Sequence, residues 1–249
     1  MSNGDASEPR AIKLNEHVYV LPIATVRDGQ TNLFNLSLLV DAAAGATLVD
    51  SGLPSHYEAI NSALVAAGTT ASALKRIILT HQDIDHVGAL AALVQASGAQ
   101  VLAHATEAPF IDGSATPRFA LPAVLAQRPE LRAVASGFQP THIDELLQDD
   151  ARLDIAGGVR VIFTPGHTPG HISLYLEQSR TLIAGDALTA NAGQLNGPSP
   201  SATPDMAQAA QSIQKLAALD LQTIVCYHGG IVDADANGQI QRVAQELAA

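Results

Sequence analysis

Cations, cysteines and long apolar stretches are all scarce in this chain. Lysine and arginine number 13 against 24 aspartates and glutamates, a formal net charge of −11, which repels phosphate backbones and anionic membranes alike. The expected partner is a small-molecule substrate, with neither nucleic acid nor membrane, and the sequence carries no signal for an oligomeric state. Cys226 is the one cysteine, so an internal disulfide is excluded, and its place in an apolar run points to an inert buried thiol rather than a nucleophile. No stretch approaches the ~20 consecutive apolar residues that span a bilayer. The opening residues, Met1 to Arg10, lack the apolar core of an export signal. A cytoplasmic location is the expectation.

What the chain does have is apolar residues, 47% of its 249 positions, enough for one large domain over 1–249. Residues 1–10 read as a disordered tail. Short runs rich in β-branched and aliphatic residues at 18–21, 36–40, 47–50, 76–79, 100–103, 159–164, 172–176, 181–184 and 223–227 read as strands. Ala/Leu/Gln-rich segments at 55–67, 88–97, 205–219 and 237–248 begin near Pro, Asp or Asn and read as helices. Such grouping is α/β or α+β.

The densest chemistry lies in Thr80-His81-Gln82-Asp83-Ile84-Asp85-His86-Val87-Gly88, directly after the apolar run Ile77-Ile78-Leu79. A loop leaving a buried strand turns alternate side chains in opposite directions, so one loop can seed two adjacent metal sites. Borderline-soft divalent ions take about four ligands and accept this mixture of imidazole and carboxylate. Three more apolar runs end on donors: 161–164 before Gly166-His167, 182–184 before Gly185-Asp186, and 224–227 before His228. Four strand ends with donors suggest one shared sheet edge.

These elements resemble the metallo-β-lactamase fold superfamily of metallohydrolases, whose pattern is His-x-His-x-Asp-His, then Gly-His, a bridging Asp and a final His. The resemblance spans about residues 18–228 and implies a four-layer αββα sandwich. It also implies two divalent metal ions, zinc first: His81, Asp83 and His167 around one, Asp85, His86 and His228 around the other, with Asp186 bridging. Asp83 stands where the family's second His is expected. A harder, charged ligand shifts preference toward iron or manganese. Two further roles remain open for Asp83: it leaves the first metal weakly held or absent, or it accepts a proton beside a bound water.

Other residues have two readings each. His171 is either a support for the ligands or purely structural, and His104 either flanks the site or is a buried hydrogen-bonded His. Asp50 either orients ligands or simply forms a turn. His17, His56 and His142 have no ligand context.

The implied mechanism is attack on a carbonyl by a metal-bridged hydroxide, with Asp85 and Asp186 as the acidic residues at the reacting centre. Segment 105–150, with Phe110, Ile111, Phe119, Leu121, Val124, Leu125 and Phe138, reads either as an apolar lid with the loop 24–35 or as core packing. The loop 192–204 is a further border. An apolar wall favours an ester, lactone or thioester. Only 21 residues follow His228, with Arg242 the sole cation among them, which argues against a glutathione thioesterase, and the missing export signal argues against a secreted lactamase. The alternatives are an iron redox enzyme of the same fold and a degenerate metal-binding protein.

Overall fold

The computed structural model describes residues 10–27 and 29–248; residues 1–9 of the expected tail lie outside them. The first sheet takes its strands in chain order: β1 (Ile12–Lys13), β2 (Val18–Arg27), β3 (Gln30–Asp41), β4 (Gly45–Val49), β5 (Leu74–Leu79), β6 (Gln100–His104) and β7 (Glu145–Leu147). The first four pair antiparallel through short connections. From β4 onward the pairing is parallel, because longer crossovers, including helices Tyr57–Ala66 and Leu90–Ser97, return the chain to the same edge.

The second sheet begins with an antiparallel meander of β8 (Arg152–Leu153), β9 (Val159–Phe163), β10 (Ile172–Leu176) and β11 (Thr181–Gly185). A small hairpin of β12 (Thr189–Asn191) and β13 (Gln194–Asn196) follows. Helix Met206–Ala217, capped where Asp205 accepts from the Gln208 N–H, carries the chain to β14 (Thr223–Cys226), parallel to β11. Finally β15 (Gly230–Val232) closes the edge, and helix Ala236–Ala248 packs outside.

Alternation along the strands builds the layers. Leu39, Val49, Ile78 and Leu102 face Val161, Ile172, Leu174 and Ile183 between the two sheets. Their neighbours Leu38, Leu48, Ile77 and Leu79 point the other way, onto Ile60, Leu64, Leu90 and Leu93 of the helices. On the far side, Leu182, Ala184 and Ile224 meet Ile213, Leu216, Ile240 and Val243. The result is the expected αββα sandwich, each fully buried aliphatic side chain stabilising it by roughly 1.5–3 kcal/mol. Cys226 is buried within it. Among the described residues no helix is long and apolar enough to cross a membrane.

One stretch differs from the sequence reading, and in a second several side chains follow the core-packing alternative. Within 24–35, read as a loop, residues 24–27 and 30–35 belong to the β2–β3 hairpin, paired from Ala24↔Leu33 to Arg27↔Gln30. In segment 105–150, Ile111 and Phe119 are buried in the first core and Phe138 packs against them. For these three the core-packing reading holds, whereas Leu121 is exposed.

Candidate metal centre

The ends of β5, β9, β11 and β14 meet at one edge, and their loops bring the expected donors together. Three groups each place their ligand atoms within 4.8 Å of one another: His81, Asp83 and His167; His81, His86 and Asp186; Asp85, His86 and His228. Asp186 sits between them, with Oδ1 3.3 Å from His86 Nε2 and Oδ2 3.5 Å from His167 Nε2 and 3.4 Å from His228 Nε2. Asp85 Oδ2 lies 3.3 Å from His228 Nε2.

His81 Nε2, His86 Nε2 and Asp186 Oδ1 are buried without a hydrogen-bond partner. These residues form one of the three groups. Leaving such atoms unmatched is costly, about 1–3 kcal/mol each, and a divalent ion satisfies all three at once. Nitrogen and oxygen donors of this kind fit that ion class.

The support beneath the donors explains their aim. Asp50 follows β4 in the left-handed region, at φ 63°, which turns its carboxylate under the motif loop. It accepts from the Thr80 N–H (2.8 Å) and from Thr80 Oγ1 (2.9 Å), and pairs with His86 Nδ1 at 2.9 Å. A carboxylate on Nδ1 leaves Nε2 facing the centre with its lone pair. Burial alone would lower the pKa of His86, but the charges of Asp50, Asp186 and Asp85 outweigh it and raise that pKa well above 6.5. His228 rises to about 10 because Asp186 and Asp85 overcome its burial. The cluster attracts positive charge.

His171 belongs to none of the three groups. Its Nε2 accepts from the Asp186 N–H at 3.0 Å, and its Nδ1 lies 2.8 Å from Thr164 Oγ1. Burial, reinforced by His81 and His167, holds its pKa well below 6.5. This contact requires Gly185, since a Cβ there would stand 2.6 Å from His171 Nε2. His104 is also outside the groups, stacked on Phe163 at 4.5 Å between ring centroids. His56 is buried beside Thr25, with Nε2 2.6 Å from its Oγ1.

Three further residues shape the site, and sequence reasoning gave them no role. Tyr227 lays its ring on His86, 3.8 Å between centroids, and its hydroxyl donates to the Asp85 carbonyl. Glu107 is fully buried and accepts from the Gln82 N–H (2.9 Å) and the Gly170 N–H (2.6 Å), tying the two ligand loops together. Arg118 donates from Nε to Asp83 Oδ1 at 2.6 Å and from Nη2 to Asp83 Oδ2. Its Nη1 reaches the carbonyls of His167 (2.7 Å) and Ala202 (3.2 Å), and its Nη2 lies 2.9 Å from His167 Nε2. Burial pushes the Asp83 pKa up, but the neighbouring His167 and His81 imidazoles and the Arg118 guanidinium outweigh it and hold it well below 3.8. The available signal for Arg118 was the carboxylate itself, since an extra buried negative charge requires a cation.

A cleft of about 580 Å³ opens over His167, Asp186 and His228. Its other walls come from Thr189 and from Asn196, Gly197, Pro198, Ser199, Pro200 and Ala202, within the loop expected at 192–204. No apolar side chain of 105–150 contributes.

The metallo-beta-lactamase superfamily model matches residues 31–228. The chain is 33% identical to the probable metallo-hydrolase YflN of Bacillus subtilis (strain 168) over 199 residues, 73% of this chain and 74% of that protein. It is 35% identical over 160 residues to a hydroxyacylglutathione hydrolase of Pseudomonas entomophila (strain L48), covering 62% of this chain but only 48% of that one. Its fold superposes on a metallo-beta-lactamase family protein from Thermus thermophilus, with a TM-score of 0.72 and 27% identity over 95% of this chain and 81% of that one. The match over most of its length, met by donors converging on one sheet edge, establishes that this chain belongs to the metallo-beta-lactamase superfamily and is a metal-dependent hydrolase.

Proposed function

We propose that this hydrolase cleaves a small uncharged ester, lactone or thioester at the Asp186 centre, adding water across the acyl bond to release a carboxylic acid and an alcohol or thiol. The observation that carries the reading is the trio of buried, unpartnered atoms on His81, His86 and Asp186. With Asp85 and His228 beside them, these residues would hold a divalent ion, zinc before others because three of the five are imidazoles. When bound, the ion supplies positive charge that acidifies a water toward neutral pH and polarises the substrate carbonyl.

The chain's own residues do the rest. Burial opposes ionisation of Asp85 and Asp186, but the neighbouring His86 and His228 outweigh it and hold both pKa values below 3.8. An ionised carboxylate at this position orients a water by accepting its hydrogen bond and takes its proton as the acyl carbon is attacked. Thr189, Pro198, Pro200 and Ala202 wall the cleft with neutral surface, which suits an uncharged acyl group. Relatives named hydroxyacylglutathione hydrolase support keeping thioesters within the class. The iron redox alternative rested on Asp83 as a free carboxylate ligand, and its pairing with Arg118 removes that argument.

The test is a panel of nitrophenyl esters, γ-lactones and acyl thioesters against the wild type and Asp186→Asn. Turnover of at least one class, lost in the variant, is expected. Equal rates in both proteins would reject the reading.

A further inference from the structure

We infer that Arg118 is a resident guanidinium standing in for one of the family's two metals, so that this hydrolase holds a single divalent ion. The inference rests on the hydrolase reading above only for the ion on the His86 side.

A guanidinium has five N–H groups and no acceptor. Asp83 Oδ1 takes the Nε hydrogen, the carbonyls of His167 and Ala202 take those of Nη1, and Asp83 Oδ2 and His167 Nε2 face those of Nη2. Every donor has a partner. Arg118 therefore has none left to bind a substrate anion. Its backbone is held too, since the Arg118 N–H donates to Gln82 Oε1 at 3.0 Å.

Its partners include two of the three residues a first metal would need, Asp83 and His167. His81, Asp83 and His167 form the group in question. His167 Nε2 has one lone pair, which either accepts from Arg118 or binds a metal, and Asp83 already meets the guanidinium with both oxygens. The unpartnered atoms lie on His81, His86 and Asp186, the trio assigned above to the single ion, whereas His167 Nε2 and both Asp83 oxygens have partners. Charge balances in the same way. Asp83, Asp85 and Asp186 bring three negative charges, which one guanidinium and one divalent ion neutralise. The replacement of the family's second His by Asp83 thus has a cause: a guanidinium forks onto a carboxylate and cannot pair with an imidazole in that way.

Zinc stoichiometry tests this directly. The full chain is stripped with chelator, dialysed, and titrated with zinc by calorimetry, with elemental analysis of the loaded protein. One tight zinc per chain is expected for the wild type and for Arg118→Lys, which keeps a cation. Two are expected for Arg118→Ala, where Asp83 and His167 are freed to take a second ion. The metal-free Arg118→Ala protein should melt below the wild type and recover with zinc. Two tight zincs in the wild type would overturn the inference and leave the hydrolase reading intact; none would overturn both. The wild-type titration needs no variant to fold.

Discussion

Asp50→Asn isolates the part of the site that aims His86. Asparagine is nearly isosteric and tolerates the left-handed backbone that Asp50 adopts at φ 63°, so the turn beneath the motif loop survives. Its Oδ1 can still accept from the Thr80 N–H, now 2.8 Å from Asp50 Oδ1. What changes is the atom facing His86 Nδ1, where Oδ2 stands at 2.9 Å: an amide NH₂ donates instead of accepting. That favours the tautomer with hydrogen on Nε2, the nitrogen aimed at the centre. Disturbing such an outer carboxylate weakens metal affinity about 10–100-fold, equivalent to ~1.4–2.7 kcal/mol. Zinc affinity by chelator competition reads this directly, with circular dichroism as the check on folding. Unchanged affinity in a folded Asp50→Asn protein would refute the reasoning.

Three other outcomes follow from the same structure. Asp186→Ala should keep a native circular dichroism spectrum while losing turnover, because the residue touches three of the imidazoles and little of the core; retained turnover would remove Asp186 from the chemistry. Glu107→Ala leaves the buried Gln82 and Gly170 N–H groups without an acceptor, which should cost about 2–4 kcal/mol in urea unfolding, and a loss under half that would mean water replaces the carboxylate. His56 has its pKa lowered from 6.5 to about 4 by burial, against the pull of Asp85. The folded state then binds fewer protons than the unfolded state between those values, so stability present above pH 6.5 is lost as the pH falls toward about 4. Comparing metal-free wild type with His56→Gln should show the wild type losing about 2 kcal/mol more across that window; parallel curves would contradict the assignment.

The strand ends were legible because their apolar runs are short, aliphatic and each followed by a donor, as in Ile77-Ile78-Leu79 before His81. Alternation then separated the layers, with Ile77 and Ile78 facing different cores. The distal hairpin was not, because Gln30, Thr31 and Asn32 are polar and exposed and only their pairing with Asn32↔Thr25 and its neighbours makes them strand. Apolar residues of 105–150 gave no direction, since a side chain in a lid and one in a core have the same composition. Arg118 and Glu107 were hidden for a different reason. Their partners lie 35 and 25 residues away in the chain, and a lone charge records nothing of what it meets after folding.

The most direct test of the account is turnover of the best acyl substrate by one protein sample, measured as purified, after chelator and dialysis, and after zinc is restored, with His86→Ala carried through the same steps. Loss on stripping, recovery on reloading and no recovery in His86→Ala are expected. Full turnover by the stripped wild type would contradict it.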